Sequence, residues 1–425
     1  MKKITRAAGL SLALLLAGFS FSGKGSVLPD KLEAFSSDNG HTLTAMALGP
    51  GLANLSPADE FSTYQWGLKN DGEFRLMELK SKFKSVDNIY DGKRSGTGLG
   101  IPQPGPGNYE STVIQALTGI DINIRPAWKL YDQAQNKRSV IVAIIDTGID
   151  INHQELQNAI WTNPGEIDGD GIDNDGNGYA DDIHGWNFYA GNSQIFTGSE
   201  DSHGTHAAGT ISASRGSYGI AGITDNNYVK IMSLKALGGS DGVGSPEAVI
   251  QAIKYAQAMG ASICNLSMGT SSYSEELAQA IQSSGMLFVV SCGNGGVSGL
   301  GYDTDTYPVY PASLPYDNVI SVANLLFDGS LSKDSNYGAA SVDIAAPGSY
   351  ILSTIPGNAY GFMSGTSMAA PMVTGVAAML YSYRPDISLT EVKSILLNSS
   401  RKLDSLTGKM VSGGLLDAYG ALSWQ

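Results

Sequence analysis

Short continuous apolar runs alternate with helical patterns from about residue 120 onwards. Runs that are apolar on both faces are typical of a parallel sheet covered by helices. Helical patterns at 246–259 and 275–284 each end before a glycine. This alternation predicts an α/β fold, a doubly wound, mostly parallel sheet with helices on both faces. The predicted strands are 140–145, 229–234, 261–266, 286–291 and 318–323.

Residues 1–22 have the pattern of a secretory signal peptide. Three basic residues precede the apolar run 10–19, and two serines follow it closely. A membrane anchor is the alternative, although this run is short for a span and no later stretch is long enough. The sequence therefore predicts an exported protein, secreted or held in the cell envelope, with no stable membrane span after signal removal.

The chain between this signal and the first predicted strand is less regular. Residues 23–57 are polar, and we interpret them as a short leader or pro-segment. Residues 75–91 have the pattern of a helix. Residues 92–108 are rich in glycine and proline and predict an exposed loop.

Charge and cysteine content exclude some classes of protein. The formal charge is −14, from 26 basic and 40 acidic residues. Such a surface repels phosphate backbones, so we expect no nucleic-acid partner. Two cysteines are too few for a disulfide framework. Cys264 and Cys292 stand on predicted neighbouring strands, where a disulfide would be strained, so we expect two buried thiols.

Three polar residues at the ends of predicted elements offer the chemistry of acyl transfer. Asp146 follows the first predicted strand, His203 begins a helical pattern, and Ser367 stands at the mouth of a long small-residue helix. A nucleophilic serine needs a base, and the imidazole needs an anion that holds its tautomer. Asn294 would add an oxyanion donor beside the Ser367 N–H. Pro371 is compatible with a first helical turn.

The segments VIVAIIDTGID, HGTHAAGTI and SGTSMAAP resemble the three signature segments of the subtilisin-like serine proteases, the subtilases, and follow that family's order. NLSMG at 265–269 and YPAS at 310–313 are also similar to family segments. The resemblance covers residues 61–425 and implies a single catalytic domain of subtilisin-like fold, at 58–425. The implied catalytic residues are Asp146, His203, Ser367 and the oxyanion residue Asn294.

Each of these residues alone has a simpler interpretation. An isolated aspartate after a strand is usually a turn or cap residue, and a lone histidine beside glycine is usually structural. His203 and His206 also form an HxxH pair, which is half of a metal site. Together and in order, the nucleophile, base, orienting carboxylate and oxyanion donor favour a protease, with His206 as a structural residue.

The resemblance also assigns a substrate cleft. Proteases often hold a substrate as an added strand, with affinity from main-chain hydrogen bonds and preference from pockets. The assigned stretches carry no charge, which predicts broad specificity with apolar or aromatic side chains at the cleaved position. Alternatively, the glycines are only turns, and Asp303 and Asp305 could rim the pocket. The assigned residues are Gly242, Val243 and Gly244 on one edge, Ser267, Met268 and Gly269 on the other, and Ser291 and Gly293 in the pocket wall.

Residues 163–187 form an acidic insertion whose core, DNDGNG, matches the first half of an EF-hand-type calcium loop. Oxygen ligands at alternate positions let such a chain wrap a hard cation. The glutamate usual at the twelfth position is absent, so later carboxylates would close the site. A solvated acidic loop is the alternative. The predicted Ca²⁺ ligands are Asp173, Asp175, Asn177, Tyr179, Asp181 and Asp182.

A second calcium site is common in subtilases and ties an acid after the catalytic aspartate to a loop after the catalytic histidine. Glu155 fits the acid. The loop 214–220 offers Gly216 where the family commonly has asparagine, which argues against this site.

These features predict a secreted, calcium-stabilised serine endopeptidase, made as a zymogen, that acts as a monomer on protein or peptide substrates. A maturation protease dedicated to one leader peptide would carry the same catalytic residues. A non-catalytic, calcium-dependent scaffold with this fold is the alternative from another class.

Overall fold

The computed structural model describes six segments of the chain. The signal predicted for 1–22, the loop at 92–108 and most of the leader at 23–57 lie outside them. The described segments are residues 33–34, 43–47, 61–79, 109–239, 242–295 and 299–425.

Strands and helices alternate along most of these segments. The strands are β1 (Glu33–Ala34), β2 (Leu43–Ala47), β3 (Glu73–Leu79), β4 (Tyr109–Gln115), β5 (Val140–Asp146), β6 (Gly185–Asn187), β7 (Val229–Lys235), β8 (Ile263–Leu266), β9 (Met268–Gly269), β10 (Leu287–Ser291), β11 (Val319–Leu325), β12 (Ile344–Pro347), β13 (Ile351–Ile355), β14 (Ala359–Met363), β15 (Arg401–Lys402) and β16 (Gly414–Leu415). The α-helices are α1 (Ile124–Gln133), α2 (Ser202–Ser212), α3 (Pro246–Ala258), α4 (Glu275–Ser283), α5 (Thr366–Tyr383), α6 (Leu389–Ser399) and α7 (Ala418–Leu422).

The central sheet of the described residues has nine strands in the order β6-β7-β5-β8-β10-β11-β12-β16-β15. Neighbouring strands run parallel except for the edge pair of β15 and β16. β5 has β7 on one side and β8 on the other, so the sheet grows in both directions from this strand. All five runs predicted as strands lie in this sheet, and the prediction of a doubly wound, mostly parallel sheet is confirmed.

Two hydrophobic clusters cover the two faces of the sheet. On β5, Val142 and Ile144 enter one cluster, whereas Ala143 and Ile145 enter the other, which explains why consecutive positions are apolar. Residues of α2 and α5 lie in the first cluster, and residues of α3 and α4 lie in the second. α5 is buried along almost its whole length. Within the described residues, every helix falls short of the length or the apolar character that crossing a bilayer requires.

The helix predicted at 75–91 is wrong for its described part. Residues 73–79 form β3, which pairs antiparallel with β4. Phe74 and Leu76 are buried, and Arg75 between them is exposed. This alternation is the period of a strand. Phe74 also packs against Phe327, with ring centroids 5.1 Å apart, so a distant aromatic contact favours the strand.

The helix that carries Ser367 begins differently from its neighbours. α3 and α4 begin after Ser245 and Ser274, whose side chains accept backbone hydrogen bonds from the first turn. α5 begins after Gly365, whose φ of 147° favours glycine and which has no capping side chain. The Thr366 N–H instead donates to Asn294 Oδ1 at 2.9 Å. The start of this helix is therefore joined to the strand-end loop that bears the predicted oxyanion residue.

Candidate active site

Three of the predicted site residues lie at the carboxyl edge of the central sheet. Asp146 is the last residue of β5, Ser267 follows β8 directly, and Asn294 lies three residues after β10. In open α/β sheets, ligands bind at this edge, where the strand order reverses direction. The reversal falls at β5, between β7 and β8.

Asp146 and His203 form a buried hydrogen-bonded pair. His203 Nδ1 lies 2.8 Å from Asp146 Oδ1 and 2.9 Å from Oδ2, and the two residues are 5% and 1% exposed. The Thr147 N–H also donates to Asp146 Oδ1, at 2.7 Å. Because an ionised carboxylate only accepts hydrogen bonds, this contact favours the tautomer with the proton on Nδ1. His203 Nε2 is then the basic nitrogen.

Ser367 is the second residue of α5 and is joined to the loop after β8. Its Oγ lies 3.2 Å from Ser267 O, and Ser267 Oγ donates to Ser367 O at 3.1 Å. The predicted place of Pro371 is wrong, because α5 begins at Thr366 and this proline is its sixth residue. Pro371 has no N–H to donate to the carbonyl four residues earlier. The helix therefore leaves Ser367 O available to the Ser267 hydroxyl.

Asn294 is oriented by the turn that precedes Ser367. Its Oδ1 accepts from the Thr366 N–H, and the Gly293 N–H donates to Thr366 Oγ1 at 3.2 Å. Because a backbone N–H can only donate, the amide oxygen of Asn294 faces Thr366. Asn294 also bridges to Ser335 in antiparallel fashion. Its NH₂ group therefore lies beside the N-terminus of α5, where the helix dipole favours negative charge.

The predicted substrate edge at Ser267, Met268 and Gly269 accepts an added strand. β1 pairs antiparallel with β9, with Glu33 opposite Gly269 and Ala34 opposite Met268. A segment from the predicted leader thus pairs with the edge that the resemblance assigns to a substrate strand.

The other predicted edge is a tight turn. Val243 bridges to Gly238, Gly242 has φ of 59°, and a Cβ at Gly244 would lie 2.0 Å from Ala236 O. The backbone therefore favours glycine at position 242 and leaves no room for a side chain at position 244, whether or not a substrate binds there.

Hydrogen bonds from Asn336 hold the backbone of the predicted pocket wall. Ser291 ends β10 and is buried, and Asn336 holds the next two residues: its Nδ2 donates to Cys292 O at 3.1 Å and its N–H to Gly293 O at 2.9 Å. Asp305, considered as a pocket rim, accepts hydrogen bonds from the 340–341 turn instead.

The two cysteines are free and buried, as predicted. Cys264 belongs to the hydrophobic cluster on one face of the sheet and Cys292 to the cluster on the other, so no disulfide joins them. Burial raises the pKa of Cys292 to about 12 and raises the pKa of Cys264 further. Neither thiol has the character of a nucleophile.

His206 has the character of a structural residue. It is completely buried, and its Nε2 lies 2.9 Å from Ile351 O. Burial lowers the pKa of His206 to about 4. The imidazole is therefore neutral at physiological pH, as a core residue that holds β13 against α2.

Known proteins share this arrangement of segments. Residues 137–421 match the model of the subtilase family. The chain belongs to the subtilase family. It is 34% identical over 298 residues to subtilisin-like protease 1 of Plasmodium berghei. This alignment covers 66% of this chain and 49% of that protein. It is 33% identical over 291 residues to the major intracellular serine protease of Bacillus subtilis. This alignment covers 67% of this chain and 82% of that protein.

Two solved structures have the same fold as this subtilase. Fervidolysin of Fervidobacterium pennivorans, a keratinolytic enzyme related to subtilisin, matches with a TM-score of 0.55 and 27% identity, over 70% of this chain and 44% of that one. A protease of Pseudoalteromonas arctica matches with a TM-score of 0.55 and 28% identity, over 71% of this chain and 94% of that one. This subtilase spans about half the length of its Plasmodium relative.

The acidic insertion of this subtilase brings together three carboxylates. One oxygen from each of Glu166, Asp173 and Asp175 lies within 4.8 Å of the others. Two of these residues are predicted ligands, and Glu166 was not predicted. Carboxylate oxygens are the donors that hard cations such as Ca²⁺ prefer, so the donor set fits such an ion.

The remaining predicted ligands have other contacts. Asn177 Nδ2 donates to Asp175 Oδ2 at 3.1 Å and to Asp182 Oδ2 at 2.8 Å. Asp182 is buried and accepts from Tyr255 OH at 2.6 Å. The ring of Tyr179 packs edge-on against Tyr255. Asp181 accepts from the Gly171 N–H. These contacts build the loop, and the hydrogen bond from Asn177 to Asp175 joins them to the three-carboxylate cluster.

Glu155 occupies the position of the second calcium site considered from the family. Its Oε1 accepts from the N–H groups of Gly219 and Ile220, at 2.8 and 3.0 Å, and from Tyr360 OH at 2.8 Å. These donors face the carboxylate where a cation would need oxygen ligands. One carboxylate oxygen of Glu155 is therefore engaged by three donors, and these contacts give no support to a second calcium site.

Sequence reasoning missed two charged residues beside the pair of Asp146 and His203, namely Lys235 and Asp201. Both are buried, and Lys235 Nζ lies 2.5 Å from Asp201 Oδ1. A lysine at the end of the apolar run 229–234 was the available signal, because a buried strand end is a costly place for an ammonium group.

Proposed function

We propose that this subtilase is a serine endopeptidase. The observation that carries the proposal is the buried contact of Asp146 with His203 at the sheet edge, where α5 presents Ser367. Membership of a peptidase family supports it. We propose that Ser367 attacks the scissile carbonyl and that His203 Nε2 accepts its proton and later gives it to the leaving amine.

The electrostatic part of the proposed reaction rests on Asp146 and Asn294. The Asp146 carboxylate fixes the imidazole tautomer and stabilises the imidazolium that forms. The Asn294 NH₂ and the Ser367 N–H donate to the oxyanion of the tetrahedral intermediate, at a helix N-terminus. These donors are held before the substrate arrives, so little reorganisation is needed during the reaction.

We propose broad specificity, with apolar or aromatic side chains at the cleaved position. The proposed wall of Ser291, Cys292 and Gly293 offers no charge, and Asp305 is engaged elsewhere. The test is digestion of a peptide library together with labelling by a fluorophosphonate probe. We expect a label on Ser367 and cleavage after many apolar residues. A single narrow motif would favour the dedicated maturation protease, and the absence of both label and cleavage would favour the non-catalytic scaffold.

We also propose that the chain is exported as a monomeric zymogen. The antiparallel pairing of Glu33 and Ala34 with β9 supports a leader that fills the substrate edge before activation. The charge and apolar run of residues 1–22 support export.

We propose that Ca²⁺ stabilises the acidic insertion through Glu166, Asp173 and Asp175. The ion would neutralise carboxylates that otherwise repel each other. Calcium at about 100 times its Kd contributes about 2.7 kcal/mol, so chelation should lower the melting temperature by about 5 °C. Differential scanning fluorimetry with calcium or a chelator measures this shift.

Variants of the insertion sharpen the calcium test. Asp173→Asn removes one ligand, so its melting temperature should no longer respond to calcium. Asp168→Asn removes an acid of the same loop outside the cluster and should keep the response. A wild-type melt that is the same with calcium and with chelator contradicts the proposal and leaves the loop as a solvated surface.

A further inference from the structure

Lys235 is a buried ammonium group next to the catalytic pair. It ends β7 directly opposite Asp146 of β5, and its side chain is 1% exposed. Its Nζ donates to Thr147 O and to Asp201 Oδ1, and Glu200 Oε1 lies 3.6 Å away. A lysine is rarely buried so deeply unless its charge is paired and its hydrogen bonds are made.

The two partners of Lys235 belong to the two segments that carry the catalytic pair. Thr147 follows Asp146, and its N–H donates to the catalytic carboxylate. Asp201 lies two residues before His203. One ammonium group therefore links the backbone just after the acid to the turn just before the base.

Asp201 does not perform the ordinary role of its position. It is the N-cap residue of α2, where an aspartate usually accepts N–H groups of the first turn, but its side chain makes no such bond. It accepts instead from Lys235 and from the Thr197 N–H. Burial raises the pKa of Asp201 in spite of these bonds. A cap contact has thus been replaced by a buried ion pair.

The space around this ion pair is closed. A Cβ at Gly148 would lie 2.9 Å from Asp201 Cγ and 2.6 Å from Ile195 O, and a Cβ at Gly204 would lie 2.3 Å from Gly148 O. The strand end and the start of α2 are therefore packed backbone to backbone. A change in the ion pair has little room to relax without moving one of them.

We infer that Lys235 and Asp201 are positioning residues that set the geometry of Asp146 against His203. This inference rests on the proposed peptidase function. The charged and titratable groups on the elements that surround the Asp146–His203 pair are Lys235 at the end of β7, Glu200 and Asp201 in the turn before α2, and His206 on α2. Lys235 and Asp201 together add no net charge to this set, so breaking the pair changes both the geometry and the field at the imidazole.

The main test is the kinetics of Lys235→Met and Asp201→Asn. Lys235→Met removes the link, so we expect kcat to fall about 10- to 100-fold, with KM changed by less than about 2-fold, because a displacement near 1 Å costs that much. Asp201→Asn keeps the shape but leaves the ammonium unbalanced, which disfavours the imidazolium. Its acid limb of kcat/KM against pH should move to lower pH.

Lys393→Met is the matched control. Lys393 donates to Val319 O and pairs with Asp343 Oδ1 at 3.4 Å, at the opposite end of the parallel strands. This variant should melt at a lower temperature but keep the wild-type pH profile. Active-site titration with the fluorophosphonate corrects every rate for folded enzyme. If Lys235→Met does not fold, the near-isosteric Asp201→Asn decides.

Two outcomes separate this inference from the proposed function. A wild-type protein without peptidase activity removes the proposed function. An active wild type, with both variants at wild-type kcat and an unmoved acid limb, overturns only the positioning role of Lys235 and Asp201.

Discussion

Ser367→Ala should abolish casein hydrolysis, with kcat lower by about 10⁶-fold, the size of effect known for this replacement in subtilisin. The substitution removes only the Ser367 hydroxyl group at the N-terminus of α5, and Ser367 O keeps its contact with Ser267 Oγ. Binding of substrate should therefore remain while covalent attack is lost. The measurement is the rate of casein cleavage per folded molecule, with fluorophosphonate labelling as the second readout.

The same variant reports on activation. If the enzyme removes its own leader, the Ser367→Ala protein keeps residues 23–57 when the wild type loses them, which intact-mass measurement detects. Ser364→Ala is the matched control, since its hydroxyl accepts from the Tyr350 N–H and takes no part in the proposed reaction. Casein cleavage by Ser367→Ala above about one per cent of the wild-type rate would remove the serine mechanism.

Asp146→Asn should lower kcat by about 10⁴-fold near neutral pH. The carboxylate lies 2.8 and 2.9 Å from His203 Nδ1 through its two oxygens. An amide NH₂ in its place donates to Nδ1 and favours the tautomer with the proton on Nε2, which cannot accept the serine proton. The measurement is kcat and KM against pH, where KM should change little.

Asp150→Asn controls for the loss of a buried carboxylate. Asp150 is 5% exposed and accepts from the Gly357 N–H at 2.8 Å, in the same strand-end loop. This variant should lose stability and keep most of its kcat. A near-normal kcat in Asp146→Asn would mean that the carboxylate only caps a loop.

Local pattern was enough to predict most of the central sheet. The run 140–145 is apolar at consecutive positions because β5 is covered on both faces. A short stretch of sequence is therefore enough to recognise this buried strand. The window 75–91 has the pattern of a helix, although the buried and exposed positions around Arg75 alternate as in a strand. Pairing with β4 and packing against Phe327 decide this element, and both are distant in sequence.

The predicted site residues stand in the resemblance segments, whereas the contacts that hold them depend on folding. Lys235 meets Asp201 across 34 positions, and the Ser267 hydroxyl reaches Ser367 O across 100. Both separations are longer than the short windows from which helices and strands are predicted. Glu155 shows the same limit, since its identity suited a calcium ligand and only the fold shows the N–H groups that face it.

The two thiols lie on opposite faces of the central sheet, so their chemical modification can report on each face separately. Cys264 and Cys292 lie in different hydrophobic clusters and are 0% and 1% exposed. An alkylating reagent can reach either sulfur only when the surrounding layer opens. The modification rate of each cysteine therefore measures the opening of one side of the sheet, and a difference between the rates shows which helical layer detaches first.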